Sequence, residues 1–237
     1  MIDELLPDEV VVAESCEDLL EAELFAQEAA LIENAVEKRR REFATARACA
    51  HTALQRLGLP AAAIVNGERG EPLWPNGVVG SITHCEGYRG CALAHASAIV
   101  TIGIDAEQNA PLPDGVLGEI ARPEELSWLG ELSRTVPAVH WDRLLFSAKE
   151  SVYKAWFPLA KRWLGFEDAV VRIDSRSERV GTASGRFSAR LLVDGSWGEA
   201  GMLTSLSGSW MVRDGLVLTA IALESEALTP SAPVATR

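Results

Sequence analysis

The chain has few basic residues and no long apolar run, and each shortage excludes a class of protein. Its 22 Lys and Arg face 34 Asp and Glu, and this formal net charge of −12 argues against general nucleic-acid binding, which needs a basic surface. No stretch approaches the roughly 18 apolar residues of a membrane span, and no basic segment precedes an apolar one after Met1. We therefore expect a cytoplasmic protein that binds neither nucleic acid nor membrane.

Several common metal and nucleophile motifs are also missing. The four cysteines have no CxxC spacing, and the four histidines have no HExxH spacing. Gly80 and Ser81 are not followed by the second glycine of a G-x-S-x-G turn. We expect reduced cysteines with structural roles, because cytosolic disulfides are rare.

The remaining sequence predicts an α+β protein. A hydrophobic content of 48% is ample for a buried core. Helices are predicted at residues 17–34, 36–57, 122–132 and 137–156. Strands are predicted at residues 78–83, 90–95, 98–105, 169–173, 185–192, 208–213 and 216–223. Residues 66–77 are dense in turn formers and predict a loop.

Helices followed by strands, twice over, indicate two similar lobes. We expect an N-terminal lobe at residues 1–110, a C-terminal lobe at residues 111–223 and a frayed tail at residues 224–237. A cleft between the lobes would then be the natural place for a ligand.

Two short motifs carry the chemistry. In Gly103–Glu107 (GIDAE), Asp105 and Glu107 are spaced i,i+2, so a strand presents both carboxylates on one face. In Lys149–Lys154 (KESVYK), Glu150 and Lys154 are spaced i,i+4 and share a helix face. Three carboxylates with a nearby cation are typical of a Mg²⁺ site that shares its metal with a phosphorylated substrate. The pair of motifs predicts a phosphoryl-transfer enzyme.

Each motif also has a plainer interpretation. Asp105 and Glu107 could be exposed acids at a strand end, and Glu150 with Lys154 could be an ion pair on a solvated helix face. The apolar residues before Asp105, and those around most of the second helix, favour the functional interpretation, because charges in apolar surroundings need partners.

Other candidates are less specific. His84 is either a structural histidine with its hydrogen bonds satisfied or a hydrogen-bond donor that contacts phosphate at the end of a strand. The cluster at residues 39–41 is either a solvated helix face or, together with Arg47 and Arg69, the side of the cleft that binds an anionic ligand, because guanidinium groups suit phosphate. Trp163 could line a pocket for a slender apolar ligand.

These residues resemble the 4'-phosphopantetheinyl transferases of the Sfp/EntD type. The likeness is to the pattern G-I-D-x-E followed by F/W-S/C-x-K-E-x-x-x-K-A, found here at residues 103–107 and 146–155. The run at residues 149–159, the segment at residues 80–85 and the loop at residues 69–72 look especially like the actinobacterial branch. The resemblance covers roughly residues 36 to 223.

The resemblance implies a pseudo-twofold pair of α+β lobes with coenzyme A in the cleft between them. Such enzymes transfer the phosphopantetheine arm to a serine hydroxyl of an acyl or peptidyl carrier protein and release 3',5'-ADP. Carried over to this sequence, the metal-binding residues are Asp105, Ala106, Glu107 and Glu150, with Ala106 limited to its backbone carbonyl or replaced by water. Glu150 is implied as general base, and Lys154 and Lys149 as cations that stabilise phosphate charge.

The coenzyme A surface implied by the resemblance lies mainly in the first lobe. Its residues are Arg39, Arg47, Asn66, Gly67, Glu68, Arg69, Thr83 and His84, with Asp105, Glu150, Lys154 and Trp163 completing the binding set. Relatives tend to have a lysine near position 66, where this chain has Asn66.

Two rival functions remain open at this point. The same acids would serve a Mg²⁺-dependent phosphohydrolase that transfers to water, and a catalytically silent module could bind coenzyme A or carrier proteins. The oxygen-rich site would accept Mg²⁺ or Mn²⁺. The resemblance implies a monomer, and acidic carriers would need a local basic or apolar patch, for which Lys161 and Arg162 are candidates.

Overall fold

The computed structural model describes residues 1–179, 182–197 and 201–225, and over these ranges the chain is a mixed α+β protein. The helices are α1 (Ala26–Ala30), α2 (Glu37–Arg56), α3 (Val116–Ile120), α4 (Pro123–Thr135) and α5 (Trp141–Ala160). The strands are β1 (Val11–Ser15), β2 (Val78–Cys85), β3 (Tyr88–His95), β4 (Ile99–Gln108), β5 (Ala169–Arg179), β6 (Thr182–Leu191), β7 (Ser196–Trp197), β8 (Gly201–Met202), β9 (Ser205–Arg213) and β10 (Leu216–Glu224). Short 3-10 helices cover Ile2–Leu5 and Phe166–Asp168.

The first sheet is three-stranded and antiparallel, in the order β1-β3-β2. Helix α2 covers it with small and aliphatic side chains such as Ala50 and Leu54, which are fully buried against Cys91 and Leu93. Small residues on the helix let it lie close to the sheet, so α2 has a fixed position beside β2 and β3.

The second sheet is five-stranded, in the order β4-β10-β9-β6-β5, and α5 packs across it. Trp141 at the start of α5 meets Trp210 of β9 edge to face, with ring centroids 5.3 Å apart. Strand β4 belongs to this sheet although it precedes residue 110. The lobe boundary stays a prediction, but sheet membership groups β4 with the second half.

The two faces of β4 have different neighbours. Ile102, Ile104 and Ala106 are buried in a core that also contains Tyr88 and Ala92 of the first sheet. The alternate residues of β4, whose side chains point to the opposite face of the strand, lie against α5. Strand β4 therefore lies between the two halves, and its motif residues meet side chains from both.

Most predicted elements are confirmed, and the helix predicted at residues 17–34 is wrong. Only α1 forms there, and β1 was not predicted. Leu20 and Leu31, which suggested an apolar helix face, are 82% and 43% exposed and have no core to cover. The segment is held by Glu28 instead, whose buried carboxylate accepts hydrogen bonds from the Phe25 and Ile64 N–H groups at 3.0 and 2.8 Å.

Three smaller expectations concern loops, thiols and ends. Residues 66–77 form a loop with a single bridge between Asn66 and Pro72. All four thiols are free, and burial raises the pKa of Cys49 to about 11. Of the predicted tail, residues 226–237 lie outside the described residues.

Among the helices that the structure describes, none combines the length and apolar character needed to cross a bilayer.

Candidate active site

Helix α5 runs along one face of β4 and brings the two motifs together. The Thr101 hydroxyl donates to the Ala155 carbonyl at 2.8 Å. A Cβ atom added to Gly103 would lie 2.0 Å from the Ser151 carbonyl oxygen, so the helix backbone rests directly on the strand. The glycine of the GIDAE motif is therefore required by close packing, and this packing places Asp105 beneath α5.

Asp105 is the residue on which the site converges. Its side chain is buried, and Oδ1 accepts hydrogen bonds from Lys154 Nζ at 2.7 Å and Thr83 Oγ1 at 3.3 Å. Lys154 also donates to the Ile104 carbonyl at 3.1 Å. The other oxygen, Oδ2, is buried without a hydrogen-bonding partner among the described residues. The two oxygens of Asp105 are therefore not equivalent, because only Oδ1 is held by hydrogen bonds within the described residues.

Glu107 lies two residues further along the same face and meets a different cation. Arg143, near the start of α5, donates to Glu107 Oε2 at 3.0 Å and to the carbonyls of Ala110 and Pro111. Burial raises the pKa of Glu107 above its usual value, and the charge of Asp105 raises it further, whereas Arg143 opposes both effects. Arg143 therefore holds Glu107 in place, while burial and the nearby charge of Asp105 disfavour its ionised form.

Glu150 stands where two cavities meet. It lines both the large cavity and a smaller one beside it. Burial raises the pKa of Glu150, and the nearby charge of Asp105 adds to this rise, with Lys154 opposing it. A carboxylate at the junction of two cavities is placed to accept a proton from a group bound there.

Lys149 is not part of this cluster. Its ammonium donates to the carbonyls of Ile120, Phe166 and Ala169 at 2.8, 2.7 and 3.1 Å, and it lies 2.8 Å from the buried carboxylate of Glu125. These four partners surround the ammonium, although Lys149 also lines the smaller cavity beside Glu150. The phosphate contact expected of Lys149 stays a prediction, and the contacts described here tie α5 to the segments around it.

The large cavity has a volume of about 530 Å³ and lies between the two halves. Its walls contain many of the residues expected to bind coenzyme A: Arg39, Arg47, Asn66, Arg69, His84 and Lys154. Gly67 and Glu68 lie in the same turn as Asn66 but do not line the cavity, and neither does Thr83. The cavity is cationic although the whole chain is acidic.

Side chains in the first half of this cavity are paired with one another. Arg39 Nη1 donates to His84 Nε2 at 2.7 Å, and Arg47 Nη2 donates to Asn66 Oδ1 at 2.7 Å. Although the His84 ring is accessible from the cavity, desolvation by its surroundings lowers its pKa, and the charge of Arg39 lowers it further. His84 is therefore neutral near pH 7, with Nε2 as the acceptor.

The smaller cavity, of about 260 Å³, is lined by Trp163, Tyr153 and Phe166 as well as by Glu150. Trp163 is 65% exposed, and its ring centroid lies 5.0 Å from that of Tyr153. An exposed indole against a second aromatic ring forms an apolar wall next to the acid. Trp163 therefore lines a cavity, and the slender ligand expected there stays a prediction.

The three carboxylates do not form a closed metal cluster. Among the residues described, no three Asp, Glu, His or Cys side chains are grouped closely enough to hold an ion by themselves. The donor set nevertheless fits a hard divalent cation that keeps several water or substrate oxygens. Asp105 offers a buried oxygen that has no partner among the described residues. Burial raises the pKa of Glu107 and of Glu150, the charge of Asp105 raises both further, and a cation would oppose these shifts.

Ala106 faces away from this cluster. Its side chain is buried in the core between the sheets, and its N–H group donates to Thr83 Oγ1 at 2.9 Å. Only its carbonyl remains to approach a metal.

Arg143 and Glu125 were not predicted as partners of the site. Arg143 lies seven residues before Glu150, which is two helical turns, so its position on the same face of α5 was a usable signal. Glu125 lies on another helix, and no pattern in the sequence connects it to Lys149.

Comparison with known protein families gives two matches along the chain. Residues 27–94 match the 4'-phosphopantetheinyl transferase N-terminal domain, and residues 101–196 match the 4'-phosphopantetheinyl transferase superfamily. The second match begins within β4, in agreement with the sheet to which β4 belongs.

Three relatives are similar over most of the chain. The 4'-phosphopantetheinyl transferase PptT of Mycobacterium tuberculosis is 50% identical over 224 residues, which is 90% of this chain and 96% of that protein. The 4'-phosphopantetheinyl transferase Svp of Streptomyces mobaraensis is 51% identical over 87% of this chain and 81% of its own length. The 4'-phosphopantetheinyl transferase Npt of Nocardia iowensis is 48% identical over 94% of this chain and 99% of its own length.

Proposed function

Because the chain belongs to the 4'-phosphopantetheinyl transferase superfamily, we propose a mechanism in which its own residues transfer the arm of coenzyme A to a carrier-protein serine. The enzyme is a transferase with coenzyme A and carrier proteins as its substrates. The phosphohydrolase and silent-module alternatives find no support among the relatives.

The observation that carries the mechanism is the pairing of Asp105 with Lys154 close to Glu150, the acid that lines both cavities. Lys154 pairs with one oxygen of Asp105, and Glu150 lies one helical turn before Lys154 on α5. The strand motif and the helix motif therefore act at a single point, between a cationic cavity and an aromatic one.

The large cavity suits the nucleotide end of coenzyme A. Arg39, Arg47 and Arg69 provide guanidinium groups for phosphate, and Lys154 lies nearer the acids. The smaller cavity, with Trp163 and Tyr153, suits the slender pantetheine arm. With this division, the scissile phosphate bond would lie beside Glu150, which lines both cavities.

Enzymes of this family are generally metal-dependent, and we assign the metal site here to Asp105, Glu107 and Glu150, with Ala106 able to contribute only its carbonyl. A bound Mg²⁺ would offset negative charge on the pyrophosphate, and Mn²⁺ would serve the same ligands. Glu107 would share its carboxylate with Arg143. Asp105 would use Oδ2, the oxygen that has no hydrogen-bonding partner in the described part of the chain.

Glu150 acts as the general base in this proposal. It accepts the proton of the serine hydroxyl as the serine oxygen forms a bond to the phosphorus that carries the pantetheine arm. The bond from that phosphorus to its bridging oxygen breaks, and 3',5'-ADP leaves with the electron pair. Lys154 stabilises charge on the phosphate, and such positioning and electrostatic effects supply most of the catalysis in phosphoryl transfer.

The test is intact-mass spectrometry of an apo carrier protein incubated with the enzyme, coenzyme A and Mg²⁺. We expect a mass gain of one phosphopantetheinyl group, which disappears with EDTA and with Glu150→Gln. Glu119→Gln, at an exposed position of α3, is the matched control and should keep full transfer.

Other results would revise parts of the proposal. Release of phosphopantetheine without a carrier would indicate a hydrolase, and full transfer by Glu150→Gln would remove the base from its assigned role. A molar mass in solution twice that of the chain would contradict the monomer that we propose. The cytoplasmic location stays a prediction from the sequence.

A further inference from the structure

Two hydroxyl groups of β2 act as hydrogen-bonding partners for the neighbouring edge of β4. These strands are edge strands of different sheets. The Ile104 N–H group donates to Ser81 Oγ at 3.1 Å, and the Ala106 N–H group donates to Thr83 Oγ1 at 2.9 Å. Side chains thus replace the backbone partners that a sheet neighbour would supply, and they connect the first half of the chain to the motif strand.

Thr83 differs from Ser81 in having a second contact. Because its oxygen accepts from the Ala106 N–H group, its own proton is free to be donated, and Asp105 Oδ1 lies 3.3 Å away. Thr83 is only 2% exposed, so water has little access to this hydroxyl. Lys154 approaches the same oxygen of Asp105, at 2.7 Å.

This arrangement decides which carboxylate oxygen is free. Oδ1 is held from two sides, by a hydroxyl of the first half and an ammonium of α5. Oδ2 is buried and has no partner within the ranges that the structure describes. A carboxylate fixed in this way cannot rotate freely to exchange its two oxygens.

We propose that Thr83 is a positioning residue that fixes the rotamer of Asp105 and so presents Oδ2 to the divalent metal. This inference rests on the proposed metal site. It also replaces the expectation that the Thr83 side chain contacts coenzyme A, because the hydroxyl points at β4 and does not line the large cavity.

The experiment measures Mn²⁺ binding to the full chain by electron paramagnetic resonance, with saturating coenzyme A and no carrier protein. Thr83→Val keeps the shape of the side chain and removes the hydroxyl, and Thr83→Ser keeps the hydroxyl. We expect the Mn²⁺ dissociation constant to rise about tenfold in Thr83→Val, as for losses of other groups that orient metal ligands, and less than about twofold in Thr83→Ser.

Ser81→Ala is the matched control. It removes the equivalent bond to a β4 N–H group but no bond to Asp105, so it should lower the melting temperature without weakening Mn²⁺ binding. Binding of coenzyme A without metal should be the same in Thr83→Val and Thr83→Ser. If, without metal, Thr83→Val binds coenzyme A more weakly than Thr83→Ser does, the inference is overturned. That result would instead support a direct contact between Thr83 and coenzyme A.

Two further outcomes separate this inference from the metal assignment. If the wild-type chain binds no Mn²⁺ in the presence of coenzyme A, the metal site and this inference both fail. If the wild-type chain binds Mn²⁺ and Thr83→Val binds it equally well, only the role of Thr83 fails. Should Thr83→Val not fold, Thr83→Cys, a weaker hydrogen-bonding group of similar size, should raise the dissociation constant about threefold, and an unchanged value would overturn the inference.

Discussion

Thr219 of β10 lies directly opposite Asp105 of β4 in the antiparallel pair, and α5 contacts both side chains. Thr219 Oγ1 lies 2.9 Å from Ser147 Oγ and 2.7 Å from Ser151 Oγ, while Asp105 pairs with Lys154. The two serines flank Glu150 along the helix. A buried group of three hydroxyls therefore fixes the position of α5 at the point where the acid and the lysine are presented.

The first prediction concerns this hydroxyl group. Thr219→Val should lower the free energy of unfolding by about 1–3 kcal/mol, because it leaves buried serine hydroxyls short of a partner. Thr219→Ser keeps the shared oxygen and should stay closer to the wild type. Urea unfolding of the three proteins measures the difference.

If these hydroxyls position Glu150, the kcat values of the three proteins should rank in the same order as their stabilities. We expect a lower kcat in Thr219→Val at an unchanged KM for coenzyme A, because the residue lies away from the large cavity. Equal stability and equal kcat in all three proteins would show that the hydroxyl group has no positioning role.

The second prediction concerns the contact between β4 and α5. Gly103→Ala should lower the free energy of unfolding by about 1–3 kcal/mol and reduce transfer, because its Cβ atom would overlap the Ser151 carbonyl and push the helix away from Asp105. Gly118→Ala is the control, since a Cβ atom there meets nothing within 4 Å and alanine favours the helix. A fully active and stable Gly103→Ala enzyme would contradict the tight packing.

Much of the fold could be predicted because periodicity and turn residues mark most elements. Helix α2 and strands β2, β3, β4, β6, β9 and β10 agree with their patterns to within about three residues, whereas β1 was not predicted and β5 extends well beyond its predicted end. The helix at residues 17–34 failed because a pattern of apolar residues does not show whether a core exists for them to cover. The grouping of β4 with β10 depends on pairing across more than a hundred residues, which local patterns do not encode.

Part of the site could also be predicted, because residue spacing shows which side chains share one face of a strand or a helix. The i,i+2 and i,i+4 spacings placed Asp105, Glu107, Glu150 and Lys154 on faces that meet in the structure. Lys149 is a lysine of the same motif as Lys154 and lines the smaller cavity, but its ammonium is surrounded by Glu125 and three carbonyls, which the spacing does not show.

The third prediction tests whether Lys149 has a structural role or binds phosphate directly. Lys149→Met should lower the free energy of unfolding by about 3–5 kcal/mol, because Glu125 becomes a buried charge without its partner. The double variant Lys149→Met/Glu125→Gln removes both charges and should recover part of the lost stability.

Carrier modification by the double variant tests the same point. If Lys149 is structural, transfer should return along with stability, because no phosphate contact has been lost. A double variant that is stable but inactive would instead support a direct role of Lys149 in phosphate binding.

The last prediction concerns the protonation of His84. Desolvation and the charge of Arg39 lower its pKa, so a nuclear magnetic resonance titration of the free enzyme should place the His84 pKa below 6.5, and Arg39→Gln should raise it. Because the folded state resists protonation, this histidine contributes stability that is full above pH 6.5 and is lost as the pH falls through the folded pKa. His84→Asn should therefore flatten the fall in unfolding free energy over that range. A pKa at or above 6.5 that does not respond to Arg39→Gln would show that the two side chains are not paired in solution.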